Sequence, residues 1–208
     1  MKLHHKSIRS LIARYASQPT TGAEIGVYLG QTTGIIHSHW PKCRMLLVDP
    51  WQAVVDGDSY YSGGGKMAWQ SQAEWDDIYN QAMMNIAMSN GPSLVWRMTS
   101  AEAAAHVPDK SLDFVFIDAD HTYEGTLRDI ALWLPKCRKL LMGHDYNSIK
   151  ESRYKVWGVK QAVDASLGEE HVFRRRGYVW ARRMPTRGRN RQRLIDRTNS
   201  LISQINQK

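Results

Sequence analysis

From residue 22 onward, short apolar runs alternate with segments whose apolar residues recur every three or four positions. The runs GAEIGVYL, MLLVD, SLVWRM, LDFVFID and KLLMGHD read as strands. Between them, QTTGIIHSHW, WDDIYNQAMMNIAM, SAEAAAHV and YEGTLRDIALWL read as helices. In the last of these, Tyr123, Leu127, Ile130, Ala131 and Leu134 share one face. WGVKQAVDASL continues as a helix, and HVFRRR with GYVWARR fits a final antiparallel pair. Ahead of the series, Leu3, Ile8, Leu11, Ile12 and Tyr15 have the spacing of a short amphipathic helix. Strands apolar on both faces and separated by helices predict an α/β fold with a mostly parallel sheet covered on both sides. Residues 51–75, with Gly63-Gly64-Gly65 as their softest point, read as a long lid-like loop. Its aromatics Tyr60, Tyr61 and Trp69 are either lid contacts or ordinary packing.

In such a sheet ligands bind beyond the carboxyl ends of the strands, and the unusual polar residues fall there. Glu24 and Gly26 end the first strand, Asp49 the second, and Ser100 follows SLVWRM. Asp118 ends LDFVFID, and His144 with Asp145 ends KLLMG. Gly26 and Gly30 do not match the G-x-G-x-x-G spacing, and they are either a close approach for a ligand or a tight turn. The helix that follows aims free N–H groups at an anionic ligand end. Asp49, 23 residues after Gly26, stands where a carboxylate accepts hydrogen bonds from ribose hydroxyls. Together these predict an adenosine-containing ligand.

Composition bounds the picture further. The 208 residues suit one domain, with 1–185 as the folded unit and 186–208 as a basic C-terminal extension. No apolar run is long enough for a transmembrane helix, and no membrane partner is expected. Two cysteines without metal-type spacing and no secretory-type apolar core make a cytoplasmic location the expectation. The net charge of +8 comes from nine arginines within residues 171–195, where no Asp or Glu occurs. Such a run can meet nucleic acid, but MPTRGRNRQRLIDR has no aromatic to stack a base, and a solvated tail is favoured. Leu194, Leu201, Ile202 and Ile205 could form a helix packed on a neighbouring subunit, which makes a homo-oligomer an option.

E-I-G-V-Y-L-G, LLVDPW, FIDADHTYEGTLRDIALWLP and GHDY together resemble the class I S-adenosylmethionine-dependent methyltransferases. They are most similar to the small-molecule O-methyltransferase branch called methyltransferase family 24, over about residues 20–183. The resemblance implies a Rossmann-like doubly wound seven-stranded sheet with the last strand antiparallel. It also implies that Glu24, Gly26 and Gly30 face the methionine end of the cofactor and Asp49 its ribose. Ser100 would lie near the adenine, with Trp51 covering it. In place of the family's Pro-Gly-Gly before the fifth strand, this chain has Cys137-Arg138-Lys139, so that loop must be built differently.

Asp118 and Asp145 at adjacent strand ends would repel without a cation, and a divalent metal (Mg²⁺ or Mn²⁺) removes the conflict. Asp118, His144 and Asp145 are the candidate metal ligands, and Asp118 can also touch the cofactor. The resemblance supports the two aspartates, while a His at 144, often a carboxylate in the family, shifts preference toward Mn²⁺, Zn²⁺ or Fe²⁺. Alternatively, His144 bonds a neighbour and the site is metal-free. His121 is the candidate base for a small-molecule acceptor hydroxyl, or else a helix cap or supporting contact. Asp120 is expected to cap the helix after it. Tyr146 either shapes the acceptor pocket or packs. The reading is a metal-assisted O-methyltransferase acting on a small hydroxylated molecule, with an RNA or protein acceptor, or cofactor binding without chemistry, as alternatives.

Overall fold

A computed structural model describes residues 2–53, 70–147, 158–186, 188–205 and 207. The elements run α1 (Leu3–Tyr15), β1 (Thr21–Ile25), α2 (Gln31–His39), β2 (Arg44–Val48), α3 (Gln72–Met88), β3 (Ser93–Trp96) and α4 (Ser100–His106). They continue as β4 (Leu112–Ile117), α5 (Tyr123–Trp133), β5 (Cys137–Gly143), α6 (Val159–Leu167), β6 (Phe173–Arg175), β7 (Val179–Arg183) and α7 (Gly188–Ile205).

The strands form one seven-stranded sheet in the order β3-β2-β1-β4-β5-β7-β6. β1 to β5 pair in parallel, whereas β7 runs antiparallel to both β5 and β6. This is the doubly wound α/β sheet expected from the alternation of apolar runs. Along β4, Phe114 and Phe116 face the core under α1, α2 and α3, while Val115 and Ile117 face the core under α4 to α7. Alternate side chains of a strand point to opposite faces, so an all-apolar run requires a helix layer on each side.

Where the chain reverses between β1 and β4, register sets the candidate site. Ile25 pairs with both Val48 and Ile117, and Ile117 pairs with Gly143. The next residue on each strand is therefore Gly26, Asp49, Asp118 and His144, all along one sheet edge.

α3 begins earlier than its apolar pattern suggests, because Ser71 and Glu74 form a reciprocal capping box that satisfies the first turn. Residues 72–75 thus belong to a helix rather than to the expected loop; Tyr60, Tyr61, Gly63-Gly64-Gly65 and Trp69 lie outside the described residues.

The missing Pro-Gly-Gly turn is replaced by charged contacts. Arg138 and Lys139 each approach the buried Asp113 carboxylate at 3.0 Å. α7 closes the same corner: its buried Arg191 donates to the carbonyls of Leu134 and Pro135 at 3.2 and 3.0 Å, and to that of Cys137. Leu194 joins the chain's own core beside Trp133 and Leu134. The inner face of the C-terminal helix is thus taken up within this chain, on α5 and α6. Of the eight described arginines in this cluster, Arg182 and Arg191 are buried and the other six are divided among β6, β7, α7 and the β6–β7 connection.

Candidate active site

β4 ends on Asp118 and β5 on His144-Asp145, and α5 starts three residues beyond Asp120. These adjacent ends bring four polar side chains together. His121 Nε2 lies 3.3 Å from Asp118 Oδ1 and 2.9 Å from Asp145 Oδ2. His144 Nδ1 lies 3.1 Å from Asp145 Oδ2 and 3.7 Å from Asp118 Oδ1. Asp145 takes a left-handed backbone (φ 53°), which Asp tolerates better than most residues and which turns its carboxylate back toward the cluster. Burial opposes ionisation of Asp145, but the hydrogen bonds from His121 and His144 outweigh it and hold its carboxyl well below the usual range. Burial likewise works against charge on His144, and the two aspartates outweigh it and raise its pKa.

Ligand atoms of Asp118, His121 and Asp145 all lie within 4.8 Å of one another. Two carboxylates and an imidazole at this spacing fit a divalent cation, with an imidazole donor favouring Mn²⁺, Fe²⁺ or Zn²⁺ over Mg²⁺. His144, expected as a ligand, stands beside this triad and bonds Asp145. His121 contacts both carboxylates, so it is the residue that joins the two strand ends.

The D-x-D-H-x-Y-E-G motif has a local explanation for its remaining parts. Thr122, not Asp120, caps α5: its side chain accepts from Gly125 N at 3.0 Å. Asp120 instead accepts from Thr122 N at 2.8 Å, an Asx-type turn that sets up the cap. A Cβ on Gly125 would lie 1.9 Å from Asp120 Oδ2, so the glycine makes room for that turn.

The cofactor candidates divide into two groups. Glu24, Gly26 and Gly30 surround the β1–α2 turn. Glu24 is buried beneath it, accepts from Thr33 Oγ1, and burial pushes its carboxyl up to about 8. Gly26 (φ 84°) passes so close to β4 that a Cβ would meet the Asp118 carbonyl at 2.1 Å. Its backbone freedom therefore serves the approach of two strand ends. Gly30 (φ 71°) precedes α2, whose free N–H groups face the same edge.

Asp49 is already engaged. It accepts from the N–H groups of Val27 and Tyr28 at 2.9 and 3.0 Å and from Trp51 N at 2.8 Å. Three of its roughly four lone-pair positions are filled, leaving about one for a ribose hydroxyl.

Trp51 and Ser100 point away from the positions expected of them. Trp51 is fully buried (0% exposed), donates its indole N–H to Tyr28 O at 2.9 Å and packs edge-on to Tyr79. It is a core residue under α3. Ser100 donates to Asp129 Oδ1 and accepts from Trp133 Nε1 at 2.8 Å, so its hydroxyl faces α5. Tyr146 packs: it is buried, and its hydroxyl donates to Asp164.

Asp129, which the helical pattern does not single out, is buried in this network, and burial pushes its carboxyl from 3.8 up to about 7 against the Ser100 hydrogen bond. A carboxyl raised on folding stabilises below its unfolded pKa, and that contribution is lost as pH rises through about 4 to about 7. Asp129→Asn is expected to flatten the stability profile over that window by about 2–4 kcal/mol, read from urea unfolding at pH 4.5 and 8.

The N-terminal helix also reaches the cluster. The His4 ring lies 4.9 Å from that of His144 and 4.1 Å from that of His5. No sequence spacing links residues 4 and 144; the contact exists because α1 packs across β7 and the Gly177 turn, where a Cβ would meet His4 N at 2.6 Å.

The fold and the polar strand ends define a class: a doubly wound α/β enzyme with its site at the chain reversal. A family model described as "Methyltransferase domain", methyltransferase family 24, matches residues 23–146, more than half of the chain. The chain belongs to that family and is a class I S-adenosylmethionine-dependent methyltransferase. Among solved structures, a putative O-methyltransferase from Klebsiella pneumoniae is similar at 15% identity and a TM-score of 0.57, covering 88% of this chain and 81% of that one. The O-methyltransferase TomG from Streptomyces achromogenes, involved in tomaymycin synthesis and complexed with SAM, is similar at 14% identity and a TM-score of 0.55, covering 86% and 79%. An O-methyltransferase from Bacillus cereus complexed with SAH is similar at 15% identity and 0.52, covering 86% and 80%. At these identities the likeness is one of fold. A comparison with curated proteins gives no match. No helix among the described residues is long and apolar enough to cross a membrane.

Proposed function

We propose that the chain transfers the methyl group of S-adenosylmethionine to a hydroxyl oxygen of a small acceptor, and that Asp118, His121 and Asp145 hold a divalent cation beside the reacting oxygen. The observation that carries this reading is the convergence of those three side chains within 4.8 Å at the strand ends flanking the β1–α2 turn. That two of the similar structures are complexes with SAM or SAH supports the cofactor. A bound cation supplies positive charge that lowers the pKa of an acceptor hydroxyl.

The chain's own residues orient and manage protons. Asp118 and Asp145 fix the position of His121 by bonding its Nε2 from two sides. A bound cation would take the place of the Nε2 proton that these carboxylates accept, with His121 then a ligand beside them, and His144 holds Asp145 in place. Gly26, Gly30 and Glu24 shape the turn that receives the methionine end, while the remaining acceptor position of Asp49 meets the ribose. In-line transfer needs alignment of two bound molecules more than covalent help from the protein.

Calorimetry separates the two halves of the proposal. S-adenosylhomocysteine is expected to bind the full chain, and Mn²⁺ to bind with an affinity that Asp118→Ala lowers by more than about tenfold. Lack of any S-adenosylhomocysteine binding contradicts the cofactor assignment; Mn²⁺ binding unaffected by the substitution contradicts the metal site.

A further inference from the structure

Against the cluster, between β4, β5, β7 and the helices α5 and α6, lies a small cavity of about 10 Å³. Asp118, His121, Thr126, His144, Val159 and Trp180 line it. Trp180 is 1% exposed, yet its indole N–H has no hydrogen-bond partner among the described residues. The ring is clamped against β5: a Cβ on Gly143 would lie 2.6 Å from its Cε2 and Cζ2 atoms. The N–H therefore cannot swing out to solvent.

A buried N–H left unpaired carries the full cost of its lost hydration. An indole N–H only donates, so whatever satisfies it must accept. The Asp118 carboxylate on the same cavity wall only accepts when ionised, so a group that bridges it to the indole must donate a hydrogen bond to it or carry positive charge. A cation fails the first requirement and an anion the second. Water meets both, and the volume is that of a single water molecule.

We propose that this cavity holds one ordered water, which accepts from Trp180 Nε1 and donates to the Asp118 carboxylate. Trp180 is then a positioning residue: through the water it fixes the Asp118 carboxylate. The water site stands on the cavity and the unpaired N–H alone. The positioning role rests on the proposed metal site.

The Trp180 indole resonance is identified in a ¹H–¹⁵N spectrum of the full chain as the one lost in Trp180→Phe. It is expected to show cross-relaxation with a long-lived water, and a high-resolution crystal structure of the wild type is expected to show an ordered water about 2.9 Å from Nε1. A resonance without that cross-peak, or a dry cavity in the crystal, overturns the water site even if Trp180→Phe fails to fold.

For the positioning role, Trp180→Phe is expected to weaken Mn²⁺ binding about tenfold while S-adenosylhomocysteine affinity stays within about twofold. Unchanged Mn²⁺ affinity overturns that role. A wild type that binds no Mn²⁺ also overturns it, together with the metal site, and leaves the water to the spectrum and the crystal.

Discussion

Asp145→Asn is expected to lower kcat/KM for methyl transfer by about 10²–10³-fold, with S-adenosylhomocysteine affinity held within about twofold. Asn keeps the size of the side chain and tolerates the left-handed backbone at this position (φ 53°), so the substitution removes charge with little strain. Asp145 accepts from His121 at 2.9 Å and from His144 at 3.1 Å. Without its charge, His121 loses one of the two carboxylates that hold it, and the triad of Asp118, His121 and Asp145 loses half of its negative charge. Cofactor binding is spared because Glu24, Gly26, Gly30 and Asp49 lie on β1, β2 and the turn between β1 and α2. Steady-state kinetics with a binding titration of both proteins checks the separation; an equal loss of cofactor affinity would show that Asp145 supports the whole edge instead.

Arg191→Ala is expected to destabilise the chain by about 3 kcal/mol in urea unfolding. α5 ends at Trp133 without a glycine cap, leaving carbonyls that need donors. Arg191 supplies them to Leu134, Pro135 and Cys137 from a buried position. Its positive charge also lies at the carboxyl end of α5, where the helix dipole favours a cation. Alanine removes the side-chain donor from the Leu134 and Cys137 carbonyls, while Pro135 O keeps its bond from Lys110 N at 2.9 Å, and it loosens α7 from the core that Leu194 joins. Arg191→Lys keeps the charge but not the planar fork, and a partial loss of about 1–2 kcal/mol is expected.

The sheet was legible because its strands are apolar on both faces and its helices carry clear stripes; neither depends on contacts distant in the chain. The meeting of Asp118 with Asp145 was legible for the same reason, since ends of neighbouring parallel strands must adjoin. Side-chain direction was harder to read. Trp51 follows a strand end exactly as a ligand-covering residue would, yet the left-handed backbone there (φ 41°) sends its ring into the core. Ser100 opens a helix beside the site, but a buried carboxyl and an indole on α5 claim its hydroxyl. Asp120 and Thr122 are both capping residue types two positions apart, and only the geometry of the turn separates them. Arg191 was hidden among arginines that look like a solvated tail. Its spacing of three from Leu194 puts both on one helix face, and that face turned out to be the inner one. His4 and Trp180 carry no local signal, because each meets the cluster through packing across the sheet.

The most direct measurement is transfer of a labelled methyl group from S-adenosylmethionine to a panel of small hydroxylated acceptors, run with wild type and Asp145→Asn, each with added Mn²⁺ and after chelation. Transfer by wild type with Mn²⁺ is expected, and its loss both on chelation and in Asp145→Asn. Equal transfer by the two proteins, unaffected by chelation, would contradict a reaction centre at Asp118, His121 and Asp145.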